Sequence, residues 1–479
     1  MPLQKLQFQP GINRETTSYS NEGGWFDCDK VRFRQGFPEK IGGWSKIGST
    51  SFLGTCRALH PWRTLSLDGY LGVGTHLKYY AEYGQGYYDI TPIRSTTSAG
   101  DVTFSASNGS STITVSDPSH GAVVNDFVTF SGAVSLGGNI TAAVLNQEYQ
   151  IISITDSSTY TVQARAAGTT SSITVNGQYS PTPVVANASD SGNGGSSVIG
   201  TYQINVGLDT SVLGTGWGAG SWGRGTWNSA ASVDLITDTL RVWTHDNFGE
   251  NLLMNVMNGG IYYWQPSGGL SNNRAVAISS LAGANQAPTI ATKVIVSDVD
   301  RHVIAFGCDP ATNIGTQDPL LIRFSDQENV TDWNSTADNS AGSLSIGSGS
   351  KIVTAIETRQ QILVFTDISL HALQYVGPPF TFGINMISDN ITIRGPSTVA
   401  AVQDTVYWMG KSEFYVYNGG VQTLPCSVKD YVFSDFNAAQ AEKTFAAVNS
   451  AFSEVWWFYP SSSSDNNDRY VVYNYLQGI

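Results

Sequence analysis

Ile362-Leu363-Val364-Phe365 followed by Leu373-Gln374-Tyr375, Val406-Tyr407-Trp408 by Phe414-Tyr415-Val416-Tyr417, and Val455-Trp456-Trp457-Phe458 by Tyr470-Val471-Val472-Tyr473 are three copies of one strand-turn-strand pattern. From Phe365 to Trp408 is 43 residues and from Trp408 to Trp457 is 49, close to the ~40–50 residues of one four-stranded propeller blade. Weaker copies stand earlier: Tyr70-Leu71-Gly72-Val73 with Leu77-Lys78-Tyr79-Tyr80, Leu240-Arg241-Val242-Trp243 with Ile261-Tyr262-Tyr263-Trp264, and His302-Val303-Ile304-Ala305-Phe306 with Leu320-Leu321-Ile322-Arg323-Phe324. In each, β-branched and aromatic residues crowd a short run, Gly, Asn, Asp or Ser breaks it, and a second run follows, the pattern of meandering antiparallel strands. The expected fold is all-β: a β-propeller of about six blades with an N-terminal arm and a small inserted β domain. Helix is expected only as a turn or two in the Ala-rich 438–448.

The chain divides, on this reading, into an arm (1–56), a first blade (57–96), an inserted β domain (97–180) and the remaining blades (181–479), the last of them open to being incomplete. The arm is set apart by Gly11, Gly23-Gly24, Gly36 and Gly42-Gly43, which recur too closely for a self-contained core. The insert shows short alternating runs in a Ser/Thr/Gly background, among them Ser111-Thr112-Ile113-Thr114-Val115 and Phe127-Val128-Thr129-Phe130. Residues 181–200, rich in Pro, Ser, Asn and Gly, read as the returning linker. At Tyr473-Asn474-Tyr475-Leu476-Gln477-Gly478-Ile479 the chain stops where further strands are expected. Either the sequence is a fragment, the favoured reading, or the arm closes the last blade with a strand of its own.

Only 13% of the 479 residues are charged, about half the usual share, while Gly, Trp and Tyr are abundant. A net charge of −13 argues against gripping a nucleic-acid backbone, which needs clustered Lys and Arg, but leaves open a protein through which DNA slides. There is no apolar run of about 18 residues and Met1 to Pro10 lacks an apolar core, so a soluble chain without a signal peptide is expected. Cys28, Cys56, Cys308 and Cys426 form no CxxC pair and read as buried, reduced thiols. His60, His76, His120, His245, His302 and His371 are isolated and read as structural. Asp27 with Asp29, and Asp298 with Asp300, put two carboxylates two residues apart, where calcium or, more simply, a turn would suit them. No cofactor is expected.

The stretch Gly216-Trp217-Gly218-Ala219-Gly220-Ser221-Trp222-Gly223-Arg224-Gly225-Thr226-Trp227 spaces its three Trp residues five apart, a period of neither strand nor helix. Trp217, Trp222 and Trp227, with Arg224 as a cation, are the candidate interaction residues: a stacking surface for sugars or bases, or indoles tucked between blades as anchors. Ser325-Asp326-Gln327-Glu328-Asn329-Val330-Thr331-Asp332-Trp333 is similar to a sialidase aspartate box, with Asn329 where the motif needs a Gly turn. It occurs once and without the Arg cluster a sialidase needs for its substrate carboxylate, so no catalytic residue is assigned.

Three segments together resemble a known family. Phe8-Gln9-Pro10-Gly11-Ile12-Asn13-Arg14-Glu15, Gly24-Trp25-Phe26-Asp27-Cys28-Asp29-Lys30-Val31-Arg32-Phe33-Arg34-Gln35-Gly36 and Gly42-Gly43-Trp44 are similar to the opening of tail nozzle proteins of short-tailed bacteriophages. That group includes packaged-DNA stabilisation and tail tubular B proteins. The Trp loop, Asp318-Pro319-Leu320-Leu321-Ile322-Arg323-Phe324-Ser325-Asp326 and Tyr407-Trp408-Met409-Gly410 extend the resemblance over most of the chain outside 97–180. It implies a virion protein assembled in the host cytoplasm. Six copies would ring the DNA exit channel, attached to the adaptor ring below the portal. Fibres or tailspikes and the host surface are further implied contacts, with the insert at the periphery; DNA passes without sequence-specific binding and the free protein enters no membrane. Six chains at −13 each total about −78, and an acidic bore repels phosphate. The rival classes are a receptor- or glycan-binding tail protein and a propeller glycan hydrolase.

Overall fold

The computed structural model describes residues 8–45, 50–167, 182–211 and 240–479. The chain is all-β, a β-propeller of six blades, each a small antiparallel meander. It divides into two compact units, Met1–Ser49 with Gly283–Ile479, and Thr50–Ala282.

The second unit holds blade one (strands Cys56–Arg63, Gly69–Thr75, Tyr79–Tyr83 and Gly86–Asp89) and blade two (Trp243–Phe248, Asn251–Val256, Ile261–Trp264 and Val276–Ala277). The first unit holds blade three (Ala291–Val296, Val303–Cys308, Leu321–Phe324, Gly342–Ser345) and blade four (Ile352–Glu357, Ile362–Thr366, Leu370–Gly377, Thr381–Ser388). Blade five (Val399–Val402, Thr405–Met409, Phe414–Tyr417, Val421–Thr423) and blade six (Phe445–Asn449, Glu454–Tyr459, Arg469–Asn474) complete it. In blades one, three, four and five the pattern read from sequence falls on the two middle strands, and in blade six on the second and third of three. In blade two it does not: Leu240-Arg241-Val242-Trp243 is not the partner of Ile261–Trp264, which pairs instead with Asn251–Val256. Asn251 and Asn255 make that strand look like a turn, but Asn255 is buried and its amide answers the carbonyls of Val256, Gly259 and Gly260, so it belongs to the sheet and also seals the turn beyond it.

Within each unit the blade cores lie between neighbouring sheets. Phe365 of blade four meets Trp408 of blade five with ring centroids 5.2 Å apart, and Phe414 of blade five meets Trp457 of blade six at 5.0 Å. These are the residues that set the sequence repeat, so the period marks the aromatic layer joining one blade to the next. Between blades one and two, Trp243 lies flat over Gly74: a Cβ there would stand 2.6 Å from the indole, whose N–H donates to the Thr75 carbonyl at 2.8 Å. Gly74→Ala is therefore expected to cost about 1–3 kcal/mol by overpacking, read as a lowered thermal midpoint, whereas Ala at the open Gly69 leaves the midpoint nearly unchanged.

Between blades one and two the chain runs through a seven-stranded sheet in the order Ile93–Thr96, Ile199–Gln203, Phe127–Ser131, Glu148–Asp156, Thr159–Gln163, Thr112–Ser116 and Thr103–Ala106. It closes on its own core of Phe104, Phe130, Tyr149, Tyr160 and Tyr202. The sheet reaches beyond the span read from sequence: its first strand precedes residue 97, and Ile199–Gln203 overlaps the end of the stretch read as linker. Ile199–Gln203 pairs with both Ile93–Thr96 and Phe127–Ser131, so the entering and leaving strands lie side by side. A buried charge cluster ties this sheet to blade one. The Lys78 ammonium sits 2.6 Å from Asp89 and 2.7 Å from Glu148, Arg274 lies 2.5 Å from Asp89, and the Gln203 amide donates to Glu148 at 2.8 Å. Burial works against the Asp89 carboxylate, but Lys78 and Arg274 outweigh it and hold its pKa below the usual range.

Among the described residues blade six has three strands, and the arm's strands Val31–Arg34 and Phe37–Lys40 pair with each other in a separate ribbon rather than adding a fourth. The expected turn of helix near residue 438 is a 3-10 segment, Ala438–Lys443, preceded by an α-helix, Lys429–Ser434, that the sequence did not signal.

Candidate functional site

In the first unit the arm sits in a groove of about 1010 Å³ between residues 9–33 and the chain of blades five and six. Two backbone contacts start it: the Arg14 N–H donates to the Ser427 carbonyl at 2.8 Å, and the Ser427 hydroxyl donates to the Ile12 carbonyl at 2.6 Å. The Arg14 guanidinium then lies 4.8 Å from the Phe26 ring and 4.4 Å from the Tyr431 ring, with Asp27 at 2.7 Å. Further along, Arg32 is bidentate to Glu454, Nε at 2.9 Å and Nη2 at 3.2 Å, while its flat face covers Phe452 at 3.4 Å. Glu454 also accepts from the Trp456 indole at 2.8 Å. Phe8, Trp25 and Phe33 stack along the arm with centroids 5.5 and 6.3 Å apart. Chemically the groove fastens: its guanidiniums are already spent on carboxylates of the same chain.

The aspartate-box stretch brings a Ser, a His and an Asp together. The Ser340 hydroxyl donates to Asp326 Oδ1 at 2.7 Å, lies 3.0 Å from His302 Nε2 and accepts from the Gln327 N–H at 2.9 Å. In a catalytic triad the His bridges Ser and Asp; here Ser bridges the other two. With its own proton given to Asp326, the hydroxyl is not offered to His302 as to a general base, and it accepts from the Gln327 N–H. Burial raises the Asp326 carboxyl, but the Ser340 N–H and hydroxyl and the Gln327 N–H outweigh it and hold its pKa below the usual range. The left-handed residue of the loop is Glu328 (φ 55°) rather than Asn329. Asn329 acts through its side chain, accepting from the Thr331 N–H and hydroxyl at 2.9 and 2.8 Å, which is an Asx turn. Ser340→Ala is expected to cost about 1–3 kcal/mol, because it takes the acceptor of the Gln327 N–H and one of the two Ser340 donors to Asp326 Oδ1, the backbone N–H at 2.9 Å remaining, read as a lowered midpoint.

Trp217, Trp222, Trp227 and Arg224 lie outside the described residues. Asp27 is held by Arg14, and Asp29 stands 3.5 Å from Lys30. The Asp298 N–H donates to Glu357 at 3.0 Å and the Asp300 N–H to the Ser297 hydroxyl at 3.4 Å, within the hairpin turn of blade three. Among the described residues no three of His, Cys, Asp and Glu gather as a metal-binding set. All four cysteines are free thiols, but only Cys308 is fully buried; Cys28, Cys56 and Cys426 are half-buried, so the expectation of buried thiols holds for one of the four. Burial pushes the Cys308 thiol up to about 12. The structure also brings together two histidines that look isolated in sequence: His60 and His245, on the first strands of blades one and two, face each other at 4.6 Å. No helix of the described residues is long and apolar enough to cross a membrane.

No family model and no curated protein matches the chain. Among solved structures it is similar to Hsv2 of Kluyvelomyces marxianus (8% identity, TM-score 0.29, 50% of this chain and 62% of that one). It is also similar to the endosialidase of phage phi92 (13%, 0.21, 85% and 51%) and to AztD of Citrobacter koseri (9%, 0.27, 74% and 67%). The chain thus spans less than two thirds of the length of the first two. At these scores the likeness carries no function to this chain.

Proposed function

We propose that the chain is a structural virion protein, the nozzle ring at the distal end of a short phage tail, in which six copies line and close the DNA exit channel and attach to the adaptor ring. One observation carries the reading: the residues most specific to the resemblance are the ones that build the arm's seat. Phe8, Arg14, Trp25, Asp27 and Arg32 are each placed against the arm's own aromatic residues or against blades five and six. A net charge of −13 per chain supports it, since an acidic bore lets a phosphate backbone slide.

The experiment is cryo-electron microscopy of the source particle, with this chain traced in the tail. A six-fold ring around a channel at the distal end is the expected result. A peripheral trimer or monomer, or absence from the particle, overturns it. In parallel, Trp217→Ala, Trp222→Ala and Trp227→Ala together are expected to leave glycan binding of the purified chain unchanged from a negligible level. A strong wild-type glycan affinity lost in the triple variant would instead move the function to receptor binding, and release of sugar would move it to hydrolysis.

A further inference from the structure

In five blades a fourth strand closes the outer side of the sheet: Gly86–Asp89, Val276–Ala277, Gly342–Ser345, Thr381–Ser388 and Val421–Thr423, each antiparallel to the third. Blade six has no such strand among the described residues, and its third strand, Arg469–Asn474, is the sheet edge. Which of its backbone groups are left over follows from the ladder. The Tyr475 N–H donates inward, to the Ser453 carbonyl at 3.0 Å. The Asn474 N–H instead donates outward, to the Ile479 backbone oxygen at 2.7 Å, and the Asn474 carbonyl accepts from the Gly478 N–H at 2.8 Å. Hydrogen-bonding direction alternates along a strand, so Val472 and Tyr470 also turn their N–H and C=O groups outward, where no described residue pairs with them.

Beside this edge lies the groove of about 1010 Å³, lined by every residue from Arg469 to Asn474. Sheet spacings give a strand about 160 Å³ per residue, so the groove has room for about six residues, the length of the edge. On one face Val471 and Tyr473 pack into the core that holds Leu424, Val428 and Val432, and those three line the groove as well. On the arm's side Trp25 Nε1 and Asn21 Nδ2 are buried donors without an acceptor, both from residues of the lining. The cations of the lining are taken: Arg14 by Asp27, Lys30 by Asp29, Arg32 by Glu454, Lys429 by Glu413 and Arg469 by Asp435. None is left to recruit a phosphate or another anion.

We infer that the groove receives an extended, neutral segment of another protein chain, which adds itself to Arg469–Asn474 as the antiparallel fourth strand of blade six. Main-chain pairing at Tyr470 and Val472 supplies the affinity, and the apolar wall selects aliphatic or aromatic side chains at alternate positions. The carbonyls on the far edge of that strand are the acceptors that Trp25 and Asn21 lack. The other five blades show what fills this place in the fold, and the inference does not use the ring reading.

The test is hydrogen–deuterium exchange of the full chain, resolved to single amides. The probe is a synthetic pool of neutral octapeptides with Val, Leu, Ile or Phe at alternate positions and Ser or Thr between them. The Tyr470 and Val472 amides are expected to exchange about tenfold more slowly or better with the pool present, while blades three and four are unchanged. N-methylating the edge-facing amides of the tightest member should weaken it about tenfold for each hydrogen bond lost. Val472→Pro should weaken it likewise with little change in the melting curve, because the N–H it removes bonds nothing within the sheet. Protection that survives N-methylation, or that no member of the pool gives, overturns the inference. Tyr470 and Val472 amides as slow in the chain alone as those of Glu454–Tyr459 would put a segment of the same chain on the edge and also overturn it.

Discussion

Lys78→Met is expected to destabilise the unit 50–282 by about 3–5 kcal/mol, the usual cost of stranding buried charges after one partner is removed. For a unit of this size that is a fall in the thermal midpoint on the order of 10 °C. The ammonium is in direct contact with both Asp89, at 2.6 Å, and Glu148, at 2.7 Å, whereas Arg274 is 2.5 Å from Asp89 but 3.9 Å from Glu148. Methionine fills the space against the Phe127 ring, 4.2 Å from the ammonium, so the loss measures charge rather than a cavity. The pH dependence has a definite sign. Asp89 has its folded pKa depressed and Lys78 has its own raised, Lys78 against a desolvation penalty that Asp89 and Glu148 overcome. The carboxylate's contribution is present above its unfolded pKa of about 4 and is lost as pH falls towards the depressed folded value; the ammonium's is complete below its unfolded pKa of about 10.4. Between those limits the wild type should exceed the variant by the full amount, and below about pH 4 the two melting curves should converge. A constant gap down to pH 2 would sink the account.

Glu454→Ala is the second large effect. It leaves the Arg32 guanidinium buried without its bidentate partner and removes the acceptor of the Trp456 indole, again at a cost of about 3–5 kcal/mol. The local consequence is more informative than the midpoint. The arm should become a protease target between residues 8 and 45 while blades three to five keep slow amide exchange. Arg32→Met is expected to release the arm in the same way, and the double variant should cost much less than the two singles together, because the same pair is counted in both. Simple additivity would mean that the pair is not coupled.

The propeller was legible because its blades advertise themselves: Phe365, Trp408 and Trp457 recur at blade spacing, and Trp408 and Trp457 each meet an aromatic ring of the preceding blade, Phe365 and Phe414. Blade two was misread because a strand containing Asn251 and Asn255 obeys tertiary hydrogen bonding rather than strand propensity. The seat of the arm was legible as a set of motifs but not as a site, since Arg32 finds Glu454 422 residues away. Lys78 stood unremarked between Leu77 and Tyr79, as a single cation in an apolar run always will until its partners are placed. The knot of Ser340, Asp326 and His302 was half visible, because the aspartate-box likeness pointed to the loop but not to the hydroxyl that saturates it.

The entering and leaving strands of the seven-stranded sheet lie side by side, and just outside them the Ile204 N–H donates to the Pro92 carbonyl at 3.0 Å. The whole module is therefore hung on the blade by two neighbouring stems, like a drawer in its slot. Residues 93–203 could be lifted out and the cut ends rejoined by a very short bridge, or another domain with adjacent termini slid in. What such a graft must bring with it is a carboxylate at the place of Glu148, or a neutral residue in place of Lys78. The joint, rather than the cargo it holds, is what a lineage of such chains would have to preserve.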